Sequence, residues 1–324
     1  MIKATIFIPT YNGEDNLAEA LTAVFNQKVD FEYEVLIYDS ESKDQTVDII
    51  KEFAEKHQNL EWHQIKKSDF SHGKTRQLAA EEARGEFVVF LTQDATPAHD
   101  RWLFELLKPF DLSEKIVGVV GQQDPRPNCV PMMKYEIKGA FANQGVNNGI
   151  TVYQRNDNDV KGVFTQKTFY SDVNSAARRD FLLHVIPYKP VPYSEDQLFG
   201  REIIDNGFMK AYSANGYVLH SNEVPLKDYR KRLFDEVYNM RLLGSPAVNY
   251  SYWQVIKNTA KGSIQDFTRI LKDQQYGFVQ KMGWFFVNPL FQFEKWRGVR
   301  LGNMVVLNDD EVLKKYSLEK GELK

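Results

Sequence analysis

The chain has 324 residues, of which 43% are hydrophobic, so it can bury a full core and exceeds one ordinary domain. Its formal net charge is -3 and it has no helix-turn-helix, zinc-finger or base-stacking motif, which argues against a nucleic-acid-binding protein. Cys129 is the single cysteine, which excludes an intrachain disulfide and suits a reducing compartment. No run approaches the roughly 18 apolar residues that cross a bilayer.

The first hundred residues alternate predicted strands and helices. A β-rich run over residues 3–8 predicts a first strand, and apolar spacing over residues 14–25 predicts a helix. Further strands are predicted over residues 33–38, 60–65 and 87–91, and further helices from residue 47 onward and over residues 72–83. This alternation predicts an α/β protein with a parallel, doubly wound sheet.

Two of the predicted strands lead to an acid. The strand over residues 33–38 ends on Asp39, and the run 87–91 leads through Thr-Gln to Asp94. Ligands of open α/β sheets bind at the carboxyl ends of the strands, so both acids are candidate site residues. No glycine-rich phosphate loop follows either early strand, so a nucleotide would be held by other means.

Three segments resemble the amino-terminal motifs of family 2 inverting glycosyltransferases, which have the GT-A fold. They are Ile-Pro-Thr-Tyr-Asn at 8–12, Asp-Ser-Glu-Ser-Lys-Asp-Gln-Thr at 39–46 and Arg-Gly-Glu-Phe-Val-Val-Phe-Leu-Thr-Gln-Asp at 84–94, in the family's order and spacing. Asp-Phe-Ser-His-Gly-Lys-Thr-Arg at 69–76 and Thr-Gln-Asp-Ala at 92–95 resemble the bacterial rhamnosyltransferase branch, whose members use dTDP-L-rhamnose. The resemblance implies a Rossmann-like, mostly parallel central sheet flanked by helices.

The resemblance implies a nucleotide site built from the first two motifs. Asp39 would accept a hydrogen bond from the imide N–H of uracil or thymine, because an ionised carboxylate accepts but cannot donate. Ser40 would lie beside it, and Glu14 would either reinforce the neighbouring loop or complement the dipole of the following helix. The loop that would pack beside the base consists of Pro9, Thr10, Tyr11 and Asn12.

A divalent cation, Mg²⁺ or Mn²⁺, is the implied cofactor, because it would stabilise the departing diphosphate as a Lewis acid. The family usually has an Asp-x-Asp pair at this point. Here the first position is Gln93, which we count among the donor-site residues, and Asp94 is the charged ligand. His220 ends the run 217–220, where the family often has a metal ligand, although a histidine at a strand end is usually structural.

An acid pair, Glu195-Asp196, follows a proline-rich loop and precedes a helical pattern. The resemblance makes Asp196 the general base, which would deprotonate the acceptor hydroxyl as it attacks the anomeric carbon opposite the diphosphate. Glu195 would orient the acceptor or the base. The alternative is that both acids complement a helix dipole.

Four more residues are predicted donor contacts by the same resemblance. His72 precedes Gly73 in the branch-specific segment. Arg76 would grip a phosphate or the base, or else lie on a solvated helix face. Asn174 and Arg178 belong to an Asn/Ser-rich turn before an arginine pair, a segment that a capped surface helix explains almost as well.

The charge divides the chain into an acidic and a basic part. Residues 1–223 have a formal net charge of -9 and residues 224–324 one of +6. We expect a GT-A catalytic domain over 1–223 and a helical region over 224–324, with helices over 226–243 and 253–271. The aromatic residues interleaved with cations in this region suit an anionic membrane surface, or alternatively a contact in a homo-oligomer.

The sequence therefore predicts an inverting, non-processive glycosyltransferase that moves L-rhamnose from dTDP-β-L-rhamnose to a lipid-linked saccharide in bacterial surface polysaccharide synthesis. Its expected location is the cytoplasm, peripheral to the inner face of the plasma membrane. Processive synthases usually add transmembrane helices and a Gln-x-x-Arg-Trp motif, and this chain lacks both. Two alternatives stay open: a UDP-hexose or UDP-N-acetylhexosamine transferase for capsule or teichoic acid, and a non-catalytic GT-A scaffold in a polysaccharide assembly complex.

Overall fold

The computed structural model describes residues 1–127, 129–145, 149–191, 193–221 and 223–318. The strands of these residues are β1 (Ala4–Thr10), β2 (Tyr33–Asp39), β3 (Leu60–Gln64), β4 (Phe87–Leu91), β5 (Thr96–Pro97), β6 (Ile116–Asp124), β7 (Ile150–Tyr153), β8 (Asn174–Arg178) and β9 (Met209–Leu219). The α-helices are α1 (Leu17–Phe25), α2 (Thr46–Lys56), α3 (His72–Glu82), α4 (Trp102–Leu107), α5 (Pro131–Phe141), α6 (Arg179–His184), α7 (Glu195–Asp205), α8 (Leu226–Leu242), α9 (Tyr252–Lys272), α10 (Phe278–Met304) and α11 (Asp310–Tyr316).

All of these strands belong to a single sheet with the order β3-β2-β1-β4-β8-β6-β9-β5, and β7 also pairs with β9. Strands β1 to β4 are parallel to one another, whereas β8 runs antiparallel to both β4 and β6. Strand β9 is parallel to β6. The predicted α/β sheet flanked by helices is confirmed, and the insertion of β8 makes its second half mixed.

The predicted elements of the first hundred residues are present, with small shifts at their ends. Strand β4 covers the predicted residues and is buried at all five positions, as expected for a central strand with both faces covered. Helix α1 begins at Leu17, later than predicted. Asn12 has a left-handed φ of 46°, and the amides of Asn16 and Leu17 donate to the carbonyl of Gly13, so a turn precedes the helix.

The chain divides into two compact units. The first contains residues 1–124 and 140–220, and the second contains residues 125–139 and 221–324. The second unit thus includes a segment, most of α5, that the sequence analysis assigned to the catalytic domain. Apolar packing explains this grouping, since Met132 and Met133 of α5 share a buried cluster with Tyr229, Leu233 and Phe291.

Within the second unit, close approaches fix how α10 packs on its neighbours. A Cβ added at Gly298 would lie 2.5 Å from the carbonyl oxygen of Arg230, so glycine allows α10 to contact the backbone of α8. The buried Asp266 of α9 accepts hydrogen bonds from Asn288 at 3.0 Å and from Gln292 at 2.6 Å, both on α10. Among the described residues, no helix is long and apolar enough to span a membrane.

Candidate active site

The candidate site lies at the carboxyl ends of the parallel strands. Asp39 ends β2, and Asp94 lies in the turn after β4. Strand β8 runs the other way and Asn174 pairs with Leu91, so Asp172, two residues before β8, comes to the same edge. A backbone hydrogen bond from Thr92 to Val173, 3.3 Å long, joins these two loops. The topology thus brings acids from separate parts of the chain together.

Asp39 is fully buried and held by protein donors. Its Oδ1 accepts from the hydroxyls of Thr10, at 3.1 Å, and Ser42, and its Oδ2 accepts from the Ser42 amide at 3.0 Å and from the exposed Gln64 side chain at 3.2 Å. These bonds fix the orientation of the carboxylate. The neighbouring Ser40 hydroxyl is buried and has no hydrogen-bond partner among the described residues.

The loop after β1 is hydrogen-bonded to the loop after β2. The Asn12 side chain accepts from the Lys43 amide at 2.8 Å, and the Asn12 amide donates to the Ser42 hydroxyl at 2.9 Å. Glu14 accepts from the Gln45 amide at 2.9 Å, which is a contact that reinforces the loop. The two predicted nucleotide-binding segments therefore form one unit.

The remaining residues of this loop have distinct positions. Pro9 lies within β1, opposite Tyr38 of β2. The Tyr11 hydroxyl accepts from the Lys67 ammonium at 2.8 Å. The Gln93 side chain contacts the main chain of Tyr11, so the residue before Asp94 braces the loop. These contacts hold the loop after β1 against the turn that carries Asp94.

Asp94 and His220 are neighbours in the structure. Asp94 Oδ2 lies 3.3 Å from His220 Nε2, because His220 directly follows β9 at the same edge of the sheet. Burial would raise the pKa of Asp94, but the charge and hydrogen bonding of His220 lower it to about 2. The pair is therefore an ionised carboxylate beside an imidazole.

This pair fits a divalent cation. A carboxylate oxygen is a common ligand of Mg²⁺ and Mn²⁺, and an imidazole nitrogen is a common ligand of first-row transition-metal ions. Two neighbouring ligands of one octahedral ion with bonds of about 2.1 Å lie about 3 Å apart, which is close to the observed 3.3 Å between Asp94 and His220. These two side chains could therefore bind one ion without a large rearrangement.

Arg76 is buried among acids. Its Nε lies 3.2 Å from Asp172 Oδ2, its Nη1 contacts the Glu195 carboxylate, and the same Nη1 lies 3.3 Å from His72 Nδ1. The solvated-helix-face alternative for Arg76 does not fit this burial. Its role as a donor contact stays a prediction, and the contacts seen are with Asp172, Glu195 and His72.

Asp196 is half-buried at the start of α7, and backbone amides hold both of its oxygens. The Gln197 amide donates to Oδ1 at 2.7 Å, and the Asp172 amide donates to Oδ2 at 3.3 Å. Burial and the nearby charge of Asp172 raise the pKa of Asp196 to about 6, despite the opposing charge of Arg76. Burial also raises the pKa of Glu195. Asp196 is thus an accessible carboxylate that is ionised at neutral pH and basic enough to accept a proton.

His72 lies beside this cluster as a neutral imidazole. Burial and the charge of Arg76 lower its pKa to about 3. Its ring packs edge-on against Phe70 and Tyr193. At neutral pH, His72 can offer hydrogen bonds but no positive charge.

The side chain of Asn174 makes its hydrogen bonds inside the protein. It is fully buried, donates to the carbonyls of Gln122 at 3.0 Å and Gly216 at 2.8 Å, and accepts from the Trp102 indole at 3.0 Å. These contacts use the whole side-chain amide. We therefore leave Asn174 out of the donor site proposed below.

Arg178 lies at the other end of β8. It pairs with Phe87, at the start of β4, and its guanidinium donates to the carbonyls of Ile116 at 2.9 Å and Phe110 at 3.1 Å. This end of the sheet is opposite to the one that carries Asp94. The segment is a strand rather than the capped helix considered above, so Arg178 is also left out of the donor site.

Asp172 is the functional candidate that the sequence analysis missed. It is buried, and its Oδ1 accepts from the Ser175 hydroxyl at 2.7 Å and the Tyr188 hydroxyl at 2.9 Å. Its signal in the sequence was an acid just before the Asn/Ser-rich turn. That signal is weak until β8 is known to run antiparallel.

Comparisons with known proteins agree with this architecture. The pattern of the family described as "Glycosyl transferase family 2" matches residues 5–184. The O-antigen chain rhamnosyltransferase RfbN of Salmonella typhimurium is 28% identical over 237 residues, which cover 72% of this chain and 71% of that protein. The poly(ribitol-phosphate) beta-N-acetylglucosaminyltransferase TarS of Staphylococcus aureus is 37% identical over 97 residues, 29% of this chain and 16% of that protein.

A solved structure shares the fold. The mannosyltransferase PcManGT from Pyrobaculum calidifontis, in complex with GDP-Man and Mn²⁺, matches with a TM-score of 0.53 at 16% identity, covering 99% of this chain and 78% of that chain. The fold is therefore the GT-A fold of glycosyltransferases. The chain belongs to glycosyltransferase family 2, because the family pattern covers more than half of it.

Proposed function

We propose that this glycosyltransferase is an inverting, non-processive enzyme that transfers L-rhamnose from dTDP-β-L-rhamnose to a lipid-linked saccharide in bacterial surface polysaccharide synthesis. The observation that carries the proposal is the gathering of Asp39, the pair Asp94–His220 and Asp196 at one edge of the sheet. Similarity to a rhamnosyltransferase over about 70% of both chains supports the choice of sugar.

Asp196 is the general base of this proposal. It is half-buried, and its two backbone hydrogen bonds orient the carboxylate while leaving lone pairs for the acceptor. Asp196 takes the proton of the acceptor hydroxyl as that oxygen attacks the anomeric carbon from the face opposite the diphosphate, and the product is an α-L-rhamnoside. Glu195 orients the base or the acceptor.

Asp94 and His220 are the residues that would hold Mg²⁺ or Mn²⁺. When bound, such an ion supplies Lewis-acid stabilisation of the negative charge that develops on the leaving diphosphate. The low pKa of Asp94 keeps this carboxylate ionised across the whole range of physiological pH. His72, as a neutral imidazole, contributes a hydrogen bond on the donor side.

Asp39 selects the nucleobase in this proposal. Thymine and uracil carry an imide N–H, and Asp39 accepts it when the exposed Gln64 side chain moves off Oδ2. The unpartnered hydroxyl of Ser40 offers a further hydrogen bond nearby. The segment that consists of Pro9, Thr10, Tyr11 and Asn12 packs beside the base.

The second unit is proposed to contact an anionic membrane surface at the inner face of the plasma membrane. Exposed apolar side chains recur along α9 and α10, where cations outnumber acids. A contact between copies of the chain is the alternative use of this surface. Large exposed apolar residues on these helices include Trp253, Ile256, Ile264, Phe278, Val279 and Phe286.

The direct test measures nucleoside diphosphate release from dTDP-rhamnose, UDP-glucose and UDP-N-acetylglucosamine, with a synthetic lipid-linked saccharide and Mg²⁺ or Mn²⁺. We expect acceptor-dependent release from dTDP-rhamnose alone. Release from only a UDP-sugar would refute the rhamnosyl assignment while keeping the mechanism. Nucleotide binding without release from any donor would support the scaffold alternative.

One specific observation favours a second candidate, a UDP-N-acetylhexosamine transferase. The stretch of 97 residues that is 37% identical to TarS is the most similar of the sequence matches reported above, although it is short. Asp39 does not separate the two candidates, because uracil and thymine present the same imide edge. The donor comparison decides between them.

A further inference from the structure

Arg76 joins two buried carboxylates that come from distant parts of the chain. Its Nε lies 3.2 Å from Asp172 Oδ2, and its Nη1 contacts the Glu195 carboxylate. The side chains of Arg76, Asp172 and Glu195 are 7%, 1% and 5% exposed. Removing such charges from water is energetically unfavourable unless they are paired and hydrogen-bonded. A buried cluster of this kind at the edge of a catalytic site invites a functional explanation.

Asp172 connects this ion pair to the base. Its backbone amide donates to Asp196 Oδ2 at 3.3 Å, while its carboxylate is held by Arg76 and by the hydroxyls of Ser175 and Tyr188. Any movement of Asp172 therefore moves a hydrogen-bond donor of Asp196. Since Asp172 is buried, it acts through Asp196 and not on the substrate.

We propose that Asp172 and Arg76 are positioning residues for the transfer reaction, which fix the orientation of Asp196 and set the balance of charge around it. This inference rests on the proposed role of Asp196 as the general base. Asp172 supplies a like charge that favours the protonated base, and Arg76 supplies a counter-charge that favours the ionised base. The two residues therefore act on Asp196 with opposite signs.

The charged groups next to Asp196 come from three parts of the first unit. Helix α3 contributes Arg76, α7 contributes Glu195, and the loop before β8 contributes Asp172. The neutral His72 of α3 contacts Arg76. Two buried tyrosines lie in the same cluster, Tyr170 before β8 and Tyr188 in the loop after α6, and burial raises the pKa of each so that neither is ionised near neutral pH.

The test is the pH dependence of kcat for Asp172→Asn and Arg76→Met. On the acidic side of the plot of kcat against pH, activity rises as Asp196 loses its proton. We expect this rise, the acidic limb, to move to lower pH by about one pH unit in Asp172→Asn, because a like charge is removed, and to higher pH by a similar amount in Arg76→Met, because a counter-charge is removed. Each variant should also lose about tenfold in the plateau value of kcat, which is part of the roughly hundredfold or more that a correctly positioned base contributes. The matched controls are Asp266→Asn, a buried acid of the second unit, and Arg84→Met, a surface arginine, and both should keep the wild-type profile.

Opposite shifts separate positioning from general destabilisation, which would move neither limb. Acidic limbs that coincide with that of the wild type, or that move in the same direction in both variants, would overturn the proposal. Arg76→Met leaves buried acids without a counter-charge, so Arg76→Lys is the second variant. Lysine keeps the positive charge but lacks the planar guanidinium group that contacts both Asp172 and Glu195. A lower kcat with unchanged donor KM supports positioning, and an unchanged kcat refutes it.

The proposed function fails in a different way. If Asp196→Asn turns over like the wild type, Asp196 is not the base, whatever the other variants do. If Asp196→Asn is inactive while the profiles of Asp172→Asn and Arg76→Met match the wild type, the base stands and the positioning role is refuted. The two claims are therefore tested separately.

Discussion

The side-chain amide of Gln93 makes two hydrogen bonds with the main chain of Tyr11. Its Oε1 accepts from the Tyr11 amide at 2.9 Å, and its Nε2 donates to the Tyr11 carbonyl at 3.0 Å. An ionised carboxylate could make only the first bond, because it cannot donate. Glutamine at the position where the family usually has an acid thus joins the nucleotide-binding loop to the turn that carries Asp94.

We expect Gln93→Glu to loosen this loop and raise the KM for the nucleotide sugar more than it lowers kcat. Loss of one hydrogen bond of about 1 kcal/mol gives roughly a fivefold rise. Initial rates at varied donor concentration measure it. Gln58→Glu, at an exposed position, is the matched control. Equal donor KM values in Gln93→Glu and the wild type would show that the Gln93–Tyr11 hydrogen bonds do not support donor binding.

Removal of the cation ligands should weaken metal activation. In Asp94→Asn the charged oxygen is lost, and in His220→Gln the imidazole is lost, so both should require more Mn²⁺ or Mg²⁺ for half-maximal activity. We expect at least a tenfold increase for Asp94→Asn, since a carboxylate is the stronger attraction for a divalent ion. Activity against metal concentration is the readout, with His184→Gln as the control. An unchanged metal requirement would place the ion elsewhere.

Asp196 should reduce the stability of the fold when it is ionised. Its pKa is raised from an ordinary 3.8 to about 6, so the folded state binds the proton more tightly than the unfolded state. The free energy of unfolding therefore falls as pH rises from about 4 to 6, and the loss persists above that. Asp196→Asn removes this loss, so we expect its Tm to exceed that of the wild type at pH 8 and to equal it at pH 4. A lower Tm at pH 8 would contradict the raised pKa.

Apolar residues on α9 and α10 should determine membrane contact. Trp253→Ser and Phe286→Ser, each of which removes an exposed large side chain, should reduce binding to vesicles that contain anionic lipid. Co-sedimentation with neutral and anionic vesicles measures this effect, and salt should weaken it. Val160→Ser, exposed in the first unit, is the control. Unchanged vesicle binding with a changed oligomeric state would favour the homo-oligomer alternative.

Local patterns were enough to predict the elements that precede the site. Strand β4 occupies residues 87–91 as predicted, because five apolar residues rich in valine and phenylalanine and bounded by polar turns are too few for a buried helix and favour a strand. The placement of Asp39 and Asp94 at one edge followed from parallel pairing of β2 and β4 through β1. Alternating β and α units determine this pairing, so the parallel half of the sheet was predictable.

Contacts between distant residues were not predictable from local patterns. Arg76 and Glu195 are 119 positions apart, and a helix sequence does not show which of its cations is buried. The direction of β8 was equally hidden, because five residues carry no signal of antiparallel pairing. That direction decides that Asp172 reaches the site whereas Arg178 lies at the opposite edge. The roles of the individual site residues stay predictions.

The most direct test of the account is the single-turnover rate of Asp196→Asn with dTDP-rhamnose and a lipid-linked acceptor, measured together with the affinity of the same preparation for dTDP. We expect a rate at least about a hundredfold below that of the wild type, because general base catalysis contributes that much or more, and an unchanged affinity for dTDP. A variant that binds dTDP normally and transfers rhamnose at the wild-type rate would contradict Asp196 as the base and the mechanism built on it.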